Sequence, residues 1–230
     1  MGSAAGWTLD TAVTGTAEAE AGTVGNSGTV KMTDDGPMIL LETGRLRLRR
    51  FRTADVDRLV ELDSDPEVMR YITYGVPTPR AVYEDVILPR WLTVYAATPL
   101  LGYWAAENRG TGGFLGWFHL RPDRLDEGEQ ELGYRLGRAA WGSGFATEGA
   151  AAVIEHGFTR VGAEKITARS LAGNRRSQRV MQKCGLEFER DFEYPEDVIA
   201  GRSAAERAAV KYSITLSAWS ARQARGIAHS

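Results

Sequence analysis

The chain has 230 residues, 43% of them apolar, a formal net charge of −2 and a single cysteine. That is enough apolar matter for one sizeable core, and the near-neutral charge gives no electrostatic ground for nucleic acid as a general partner. No run of twenty apolar residues and no basic-then-apolar leader occurs, one thiol cannot close an internal disulfide, and three scattered histidines offer a metal no ligand set, so the sequence reads as a cytoplasmic protein without metal.

Residues 1–37 are rich in Gly, Ala, Thr and Glu with no apolar period, the composition of a segment that cannot offset its ordering entropy. They are expected to be a disordered extension, with Met38 a candidate alternative start and one domain over residues 38–219. Leu46 and Leu48 alternate with Arg45, Arg47 and Arg49, which predicts a half-buried strand over Arg45–Phe51. Thr53 is placed as the cap of a helix carrying Leu59, Val60 and Leu62, and Asp65-Pro66 breaks the chain before a short helix over Glu67–Tyr71. Tyr71–Pro79 is a loop. Val82, Val86, Ile87, Trp91 and Val94 or Tyr95 recur at helical spacing over Arg80–Ala97, with a kink or break expected at Pro89. Leu100–Glu107 and Phe114–Leu120 read as a hairpin around Gly112-Gly113.

Glu129–Leu136 is the next strand, and it leads into Arg138–Glu148, RAAWGSGFATE. Ala139, Ala140, Gly142, Ser143, Gly144 and Ala146 crowd this junction, and a helix follows with Ala146, Ala150, Val153, Gly157 and Val161 on one stripe, ending at Gly162. A strand, a turn of small residues and a helix N-terminus together make a cradle for phosphate, because the first helical N–H groups lack intrahelical acceptors and carry the positive end of the dipole. The dinucleotide fingerprint is excluded, since Thr147 stands where its third Gly belongs, and no P-loop Lys is present. Downstream lie a strand over Glu164–Leu171, a helix over Asn174–Cys184 closed by Gly185, a strand over Glu187–Glu193, a polar insert or short helix over Glu196–Arg207 and a closing strand over Val210–Leu216. Residues 220–230 are expected to form a flexible tail.

Spelled in this order, the stretches resemble the GNAT superfamily of acyl-CoA-dependent N-acyltransferases. Its Q/R-x-x-G-x-G/A motif falls on Trp141, Gly142, Ser143, Gly144, Phe145 and Ala146. Trp141 replaces the usual Gln or Arg, and W-G-x-G-[YF]-A-T-E is how the branch resembling the ribosomal-protein N-terminal (alanine/serine) acetyltransferases writes it. Asn174–Leu186 (NRRSQRVMQKCGL) is similar to that branch's N-x-x-S-x-x-V-M-E-K-L-G-F, with Gln182 and Cys184 departing from it; Glu131–Tyr134 (ELGY) and Leu41–Phe51 also resemble the branch. The resemblance implies a mixed α/β fold: a mostly antiparallel central sheet of about six to seven strands, splayed at its middle, with helices on both faces.

It also implies the chemistry: transfer of the acetyl group of acetyl-CoA to a primary amine by direct attack. The N–H groups of Gly142, Ser143, Gly144, Phe145 and Ala146 then hold the coenzyme pyrophosphate, and Arg138 either adds charge there or is a solvated surface arginine. Asn174 matches the residue that bonds the pantetheine arm, and it is equally a good N-cap; Ser177 matches the hydroxyl that returns a proton to the coenzyme sulfur. The backbone N–H of Leu136 or a neighbour serves the oxyanion. A carboxylate or an ordered water must take the amine proton, and Glu131 and Glu193 compete for that role, each also readable as a solvent-facing strand residue. His119, in the strand Phe114–Leu120, is readable either as facing the slot or as a structural strand histidine, the commoner case, and His156 and His229 have no partner at catalytic spacing. A protein N-terminus is the favoured acceptor; a small-molecule amine (antibiotic, polyamine or amino acid) and a non-catalytic acyl-CoA-binding module are the alternatives. A homodimer is compatible with such a fold, though no stretch specifies an interface.

Overall fold

Alternating side chains put one apolar row on each face of a sheet whose strands are β1 (Ile39–Glu42), β2 (Leu46–Arg50), β3 (Gly102–Asn108), β4 (Phe114–Pro122), β5 (Gln130–Leu136), β6 (Lys165–Leu171), β7 (Glu187–Glu193) and β8 (Ala208–Thr215). They lie in the order β1-β2-β3-β4-β5-β6-β8-β7 in a computed structural model that describes residues 38–227. The expected extension over residues 1–37 and the last three residues of the expected tail lie outside the described residues. The strand count is eight, because β1 forms a separate antiparallel partner for β2. Every neighbouring pair is antiparallel except β5 and β6.

That exception is where the sheet opens. β5 and β6 are paired only at Gln130↔Ile166 and Glu131↔Thr167, and beyond those residues the two strands part. The expected splay is therefore present, at the junction before the small-residue turn.

Helices cover both faces. On one, Leu46, Leu48, Trp104, Phe118, Leu132, Ile166 and Tyr212 of the sheet pack with Ala150, Val153 and Ile154 of α5 (Phe145–His156) and Met181 of α6 (Arg175–Lys183). α5 lies close to β4 because Gly149 has no side chain: a Cβ there would come within 2.2 Å of the Phe118 ring. On the other face Tyr103, Ala105 and Trp117 meet α1 (Val56–Ser64), α2 (Pro66–Met69) and the run made of α3 (Arg80–Val82), a π turn (Tyr83–Ile87) and α4 (Leu88–Ala97).

Three local expectations are corrected. Of the kink or break expected at Pro89, the break is absent: Pro89 sits in the first turn of α4, directly after a π turn in which the Leu88 N–H reaches the Tyr83 carbonyl. Thr53 is not the cap, since the Asp55 carboxylate accepts from the Arg52 N–H at 2.9 Å and closes a short 3-10 turn there. The chain past Trp219 continues as α8 (Leu216–Ile227), which docks by packing the Trp219 ring, tilted, 5.3 Å from that of Phe158. A capping box of Ser203 and Glu206 makes α7 (Ala204–Arg207) the short helix of the polar insert. Among the described residues no helix is long and apolar enough to cross a membrane.

Candidate active site

Local sequence fixes the turn after β5. Gly142 and Gly144 adopt φ of +73° and +84°, which side-chain-bearing residues resist. Gly144 is the N-cap of α5 and has no side chain to cap it, so the first N–H groups of a twelve-residue helix are left for a ligand. The Trp141 indole N–H donates to the Leu136 carbonyl at 2.8 Å and ties the turn back to the strand. Arg45 braces it from the β1–β2 turn: its guanidinium donates to the Ser143 carbonyl at 2.8 Å, pairs with Glu148 at 2.6 Å and lies over the Phe145 ring. Across the turn, the Arg176 guanidinium sits 5.0 Å from the Trp141 ring. Positive-φ glycines, uncapped N–H groups and an adjacent cation suit a pyrophosphate.

From this turn a cavity of about 1130 Å³ runs between the parted ends of β5 and β6 to the side of the sheet covered by α2. Its middle is lined by Tyr134, Asn174 and Ser177. Asn174 caps α6, its Oδ1 accepting from the Ser177 N–H at 3.2 Å, so the cap reading of that residue holds in the structure. The Ser177 hydroxyl lies 3.1 Å from the Tyr134 hydroxyl, which also donates to the Ser177 carbonyl at 3.1 Å. Burial pushes the Tyr134 phenol well above its usual value and keeps it protonated, with the Ser177 hydrogen bond acting in the other direction. A hydroxyl held in this way has one hydrogen available to a developing thiolate.

The far end carries charge and aromatics: Arg70, Tyr71, Trp117, His119, Arg121 and Glu131 all line it. His119 is 5% exposed. Its ring stacks on Trp117 at 5.7 Å and meets the Tyr103 edge at 4.9 Å. Burial first, then the charges of Arg121, Arg124 and Arg135, hold His119 well below the usual imidazole value, so the ring is neutral. Gly133, opposite it on β5, makes the room: a Cβ there would fall 2.4 Å from the imidazole.

The structure brings Glu131, Leu136, Trp141, Gly142, Gly144, Ala146, Asn174 and Ser177 to this one cavity. Ser143 and Phe145 stand at the turn but are turned to Arg45. Arg138 is apart: its side chain is 59% exposed and pairs with Asp65 at 3.6 Å, the solvated alternative. Glu193, 56% exposed, pairs with Arg207 at 3.5 Å at the end of β7 and is not among the cavity's lining residues. Glu131 is inside, 14% exposed, with its oxygens 2.6 Å from Arg121 and 3.7 Å from Arg169. The other lone side chains fit their bland readings. His156 Nε2 meets the Leu100 carbonyl at 2.8 Å, and burial pushes the Cys184 thiol up to about 11.

Sequence reasoning missed Tyr134, Arg176 and the pair of Trp117 with His119. Tyr134 was legible in principle, because alternation along Glu129–Leu136 puts it on the face of Leu132 and Leu136. The basic run Arg175, Arg176, Arg179 and Lys183 at helical spacing was a signal for Arg176, as all four line the cavity. Nothing in the sequence places Trp117 and His119 against Gly133.

Comparison with known proteins agrees with this geometry. A family model described as Acetyltransferase (GNAT) domain matches residues 45–187. FsC-acetyl coenzyme A-N(2)-transacetylase of Aspergillus fumigatus is 30% identical over 190 residues, covering 78% of this chain and 77% of that protein. The ribosomal-protein-S5-alanine acetyltransferase of Vibrio fischeri shares the fold with a TM-score of 0.61 at 16% identity, over 78% of this chain and 97% of that one. The spermidine N-acetyltransferase of Vibrio cholerae, solved with CoA and spermine, shares it with a TM-score of 0.60 at 17% identity, over 77% and 99%. The chain thus belongs to the GNAT acetyltransferase family, and it is an acetyl-CoA-dependent acetyltransferase.

Proposed function

We propose that the protein transfers the acetyl group of acetyl-CoA to a primary amine by direct attack, without a covalent enzyme intermediate, and that the amine is the N-terminus of a protein. The observation that carries the reading is the single cavity that joins the α5 N-terminus, the Ser177 hydroxyl and the Trp117–His119 end. In it the N–H groups around Gly142–Ala146, with Arg176, bind the coenzyme phosphates, and Asn174 and Leu136 present backbone and side-chain partners along the parted strands. Ser177, oriented by Tyr134, gives a proton to the departing thiolate. Glu131 acts as the carboxylate of the site and Glu193 stays outside it. No metal is required by this arrangement of hydroxyl, backbone and carboxylate. The reading places the enzyme in the cytoplasm, where Cys184 stays a thiol.

A small-molecule amine is the second reading, since the Aspergillus relative bears the name FsC-acetyl coenzyme A-N(2)-transacetylase, in which no protein acceptor is specified. The test is thiol release from acetyl-CoA against N-terminal peptides, amino acids, polyamines and aminoglycosides. Turnover on peptides above all other classes supports the first reading; turnover confined to small molecules replaces it with the second.

A further inference from the structure

Burying a polar group without a partner costs about 1–3 kcal/mol, so native structures hold few such groups and concentrate them where a ligand completes the bonding. At the far end of the cavity two neighbouring side chains carry three such atoms. Among the described residues, His119 Nδ1, His119 Nε2 and Trp117 Nε1 have no hydrogen-bond partner. Both side chains are buried, at 5% and 4% exposure, and both line the cavity. They are adjacent on one face of β4, with ring planes 21° apart, and Gly133 on β5 leaves the space in which the imidazole lies. Trp104 Nε1 is also without a partner, but it is sealed in the core and lines no part of the cavity, so it offers no such opportunity.

The chemistry of the two groups is complementary. An indole N–H is a donor only, and a neutral imidazole has one bare nitrogen that accepts. The groups facing His119 from the packed elements are Arg121, Arg124, Arg135, Glu131 and Tyr103; the three guanidiniums disfavour a second positive charge in that space. An uncharged amine with an oxygen acceptor three bonds away, on the carbon next to the one that bears it, satisfies both groups at once. A polyamine satisfies only one and brings extra cations into an arginine-rich end.

Resting on the acetyl-transfer reading above, we propose that Trp117 and His119 are the specificity-determining pair for the acceptor, recognising an α-amino acyl unit. The amine N–H donates to the bare imidazole nitrogen, and the neighbouring carbonyl or carboxylate oxygen accepts from the indole N–H. A peptide N-terminus and a free amino acid present the same unit.

The experiment is steady-state kinetics on the full chain with acetyl-CoA and four classes of acceptor: Ala- and Ser-initiated peptides, free alanine, spermidine and a simple alkylamine. Wild type is run beside Trp117→Phe, His119→Leu and His119→Gln. Trp117→Phe should raise KM for peptide or alanine about tenfold while leaving spermidine, the alkylamine and acetyl-CoA within about twofold, the size of one lost neutral hydrogen bond. His119→Leu removes the acceptor that every amine uses and should raise KM about tenfold for all the acceptors, and His119→Gln, which keeps one donor and one acceptor, should recover to within about threefold. A preference of the wild type for peptide over alanine, or the reverse, names which source supplies the unit. Equal KM changes on all the acceptors in Trp117→Phe, or no change in either Trp117→Phe or His119→Leu, overturn the specificity pair and leave acetyl transfer standing. Wild-type turnover confined to spermidine or the alkylamine also overturns it. No turnover on any acceptor, with acetyl-CoA still raising the melting temperature, overturns both readings together.

Discussion

Two polar clusters are buried within the same sheet, and they are built on opposite plans. Below β6 and β8, Lys211, which is 0% exposed, holds Asp126 at 2.8 Å and Glu129 at 2.6 Å, and Glu189 at 3.1 Å. Lys165 bonds Glu129 and Glu189, and Arg169 pairs with Asp123 and Asp126. Asp123, Asp126 and Glu129 have the spacing of a cation site, yet the cationic side chains already fill that place. At the cavity end, by contrast, Trp117 and His119 are left with bonding capacity and no partner in the protein. A cluster in which each charge is answered contributes rigidity; one with orphaned groups carries a cost that a ligand removes.

The largest effect should come from opening the closed cluster. Lys211→Met leaves three half-buried carboxylates facing one another, and the loss of folding stability is expected at about 3 kcal/mol, read as a lower urea midpoint. A loss under about 1 kcal/mol would mean that Lys165 and Arg190 take over the vacated partners, and the cluster would not be closed in the sense used above.

Acid opens the same cluster reversibly. The Glu189 carboxyl is subject to burial, which raises it, but bonds from Lys165, Ser213 and Lys211 outweigh that and bring it to about 2 from an ordinary 4.5. Its stabilisation is complete above pH 4.5 and is lost as pH falls toward about 2. Lys165 and Lys211 are raised above 10.5, so their contribution is complete below that pH. Melting temperature should therefore fall steeply between pH 4.5 and 2, and Glu189→Gln should flatten that limb.

The open cavity is probed by chemistry instead of stability. Ser177→Ala should lower kcat about 100-fold, the lower part of the range for a lost proton donor, with the melting temperature unchanged because the Asn174 cap uses the Ser177 backbone. Gly144→Ala acts on the donor end. Its φ of +84° costs a side-chain-bearing residue about 1–2 kcal/mol, which should appear as an acetyl-CoA KM raised about tenfold. The smallest effect is expected at Arg138→Ala, with acetyl-CoA KM within about twofold, as befits an exposed pair of marginal strength.

What could be read from sequence follows from range. The turn at Gly142–Gly144, the helix behind it and the Asn174 cap are written in consecutive residues, and they form as expected. The splay was reached only through resemblance, because the register of β5 on β6 is set by the whole helix that crosses between them. The closed cluster was invisible: Lys211 meets Asp126 across 85 positions, and Arg190 meets it across 64. Helix α8 was missed because its polar run offers one strong anchor, Trp219, whose partner Phe158 lies far back in the chain. Glu131 and Glu193 looked alike as strand carboxylates, and only the third dimension puts one in the cavity and the other in solvent.

The two-residue pairing of β5 with β6 has a further consequence, for assembly. Strands β1 to β5 join to their neighbours in the sheet by antiparallel ladders, whereas β6, β8 and β7 form a separate antiparallel block whose backbone meets them through one short parallel pairing, with the ion pairs of Lys165, Arg169 and Lys211 to Asp123, Asp126 and Glu129 beside it. Backbone cohesion across that seam is the weakest in the sheet, so the two blocks are the natural units of partial opening. A bound molecule lying between the parted strands spans both blocks, and occupancy by the co-substrate thereby welds the sheet that it uses.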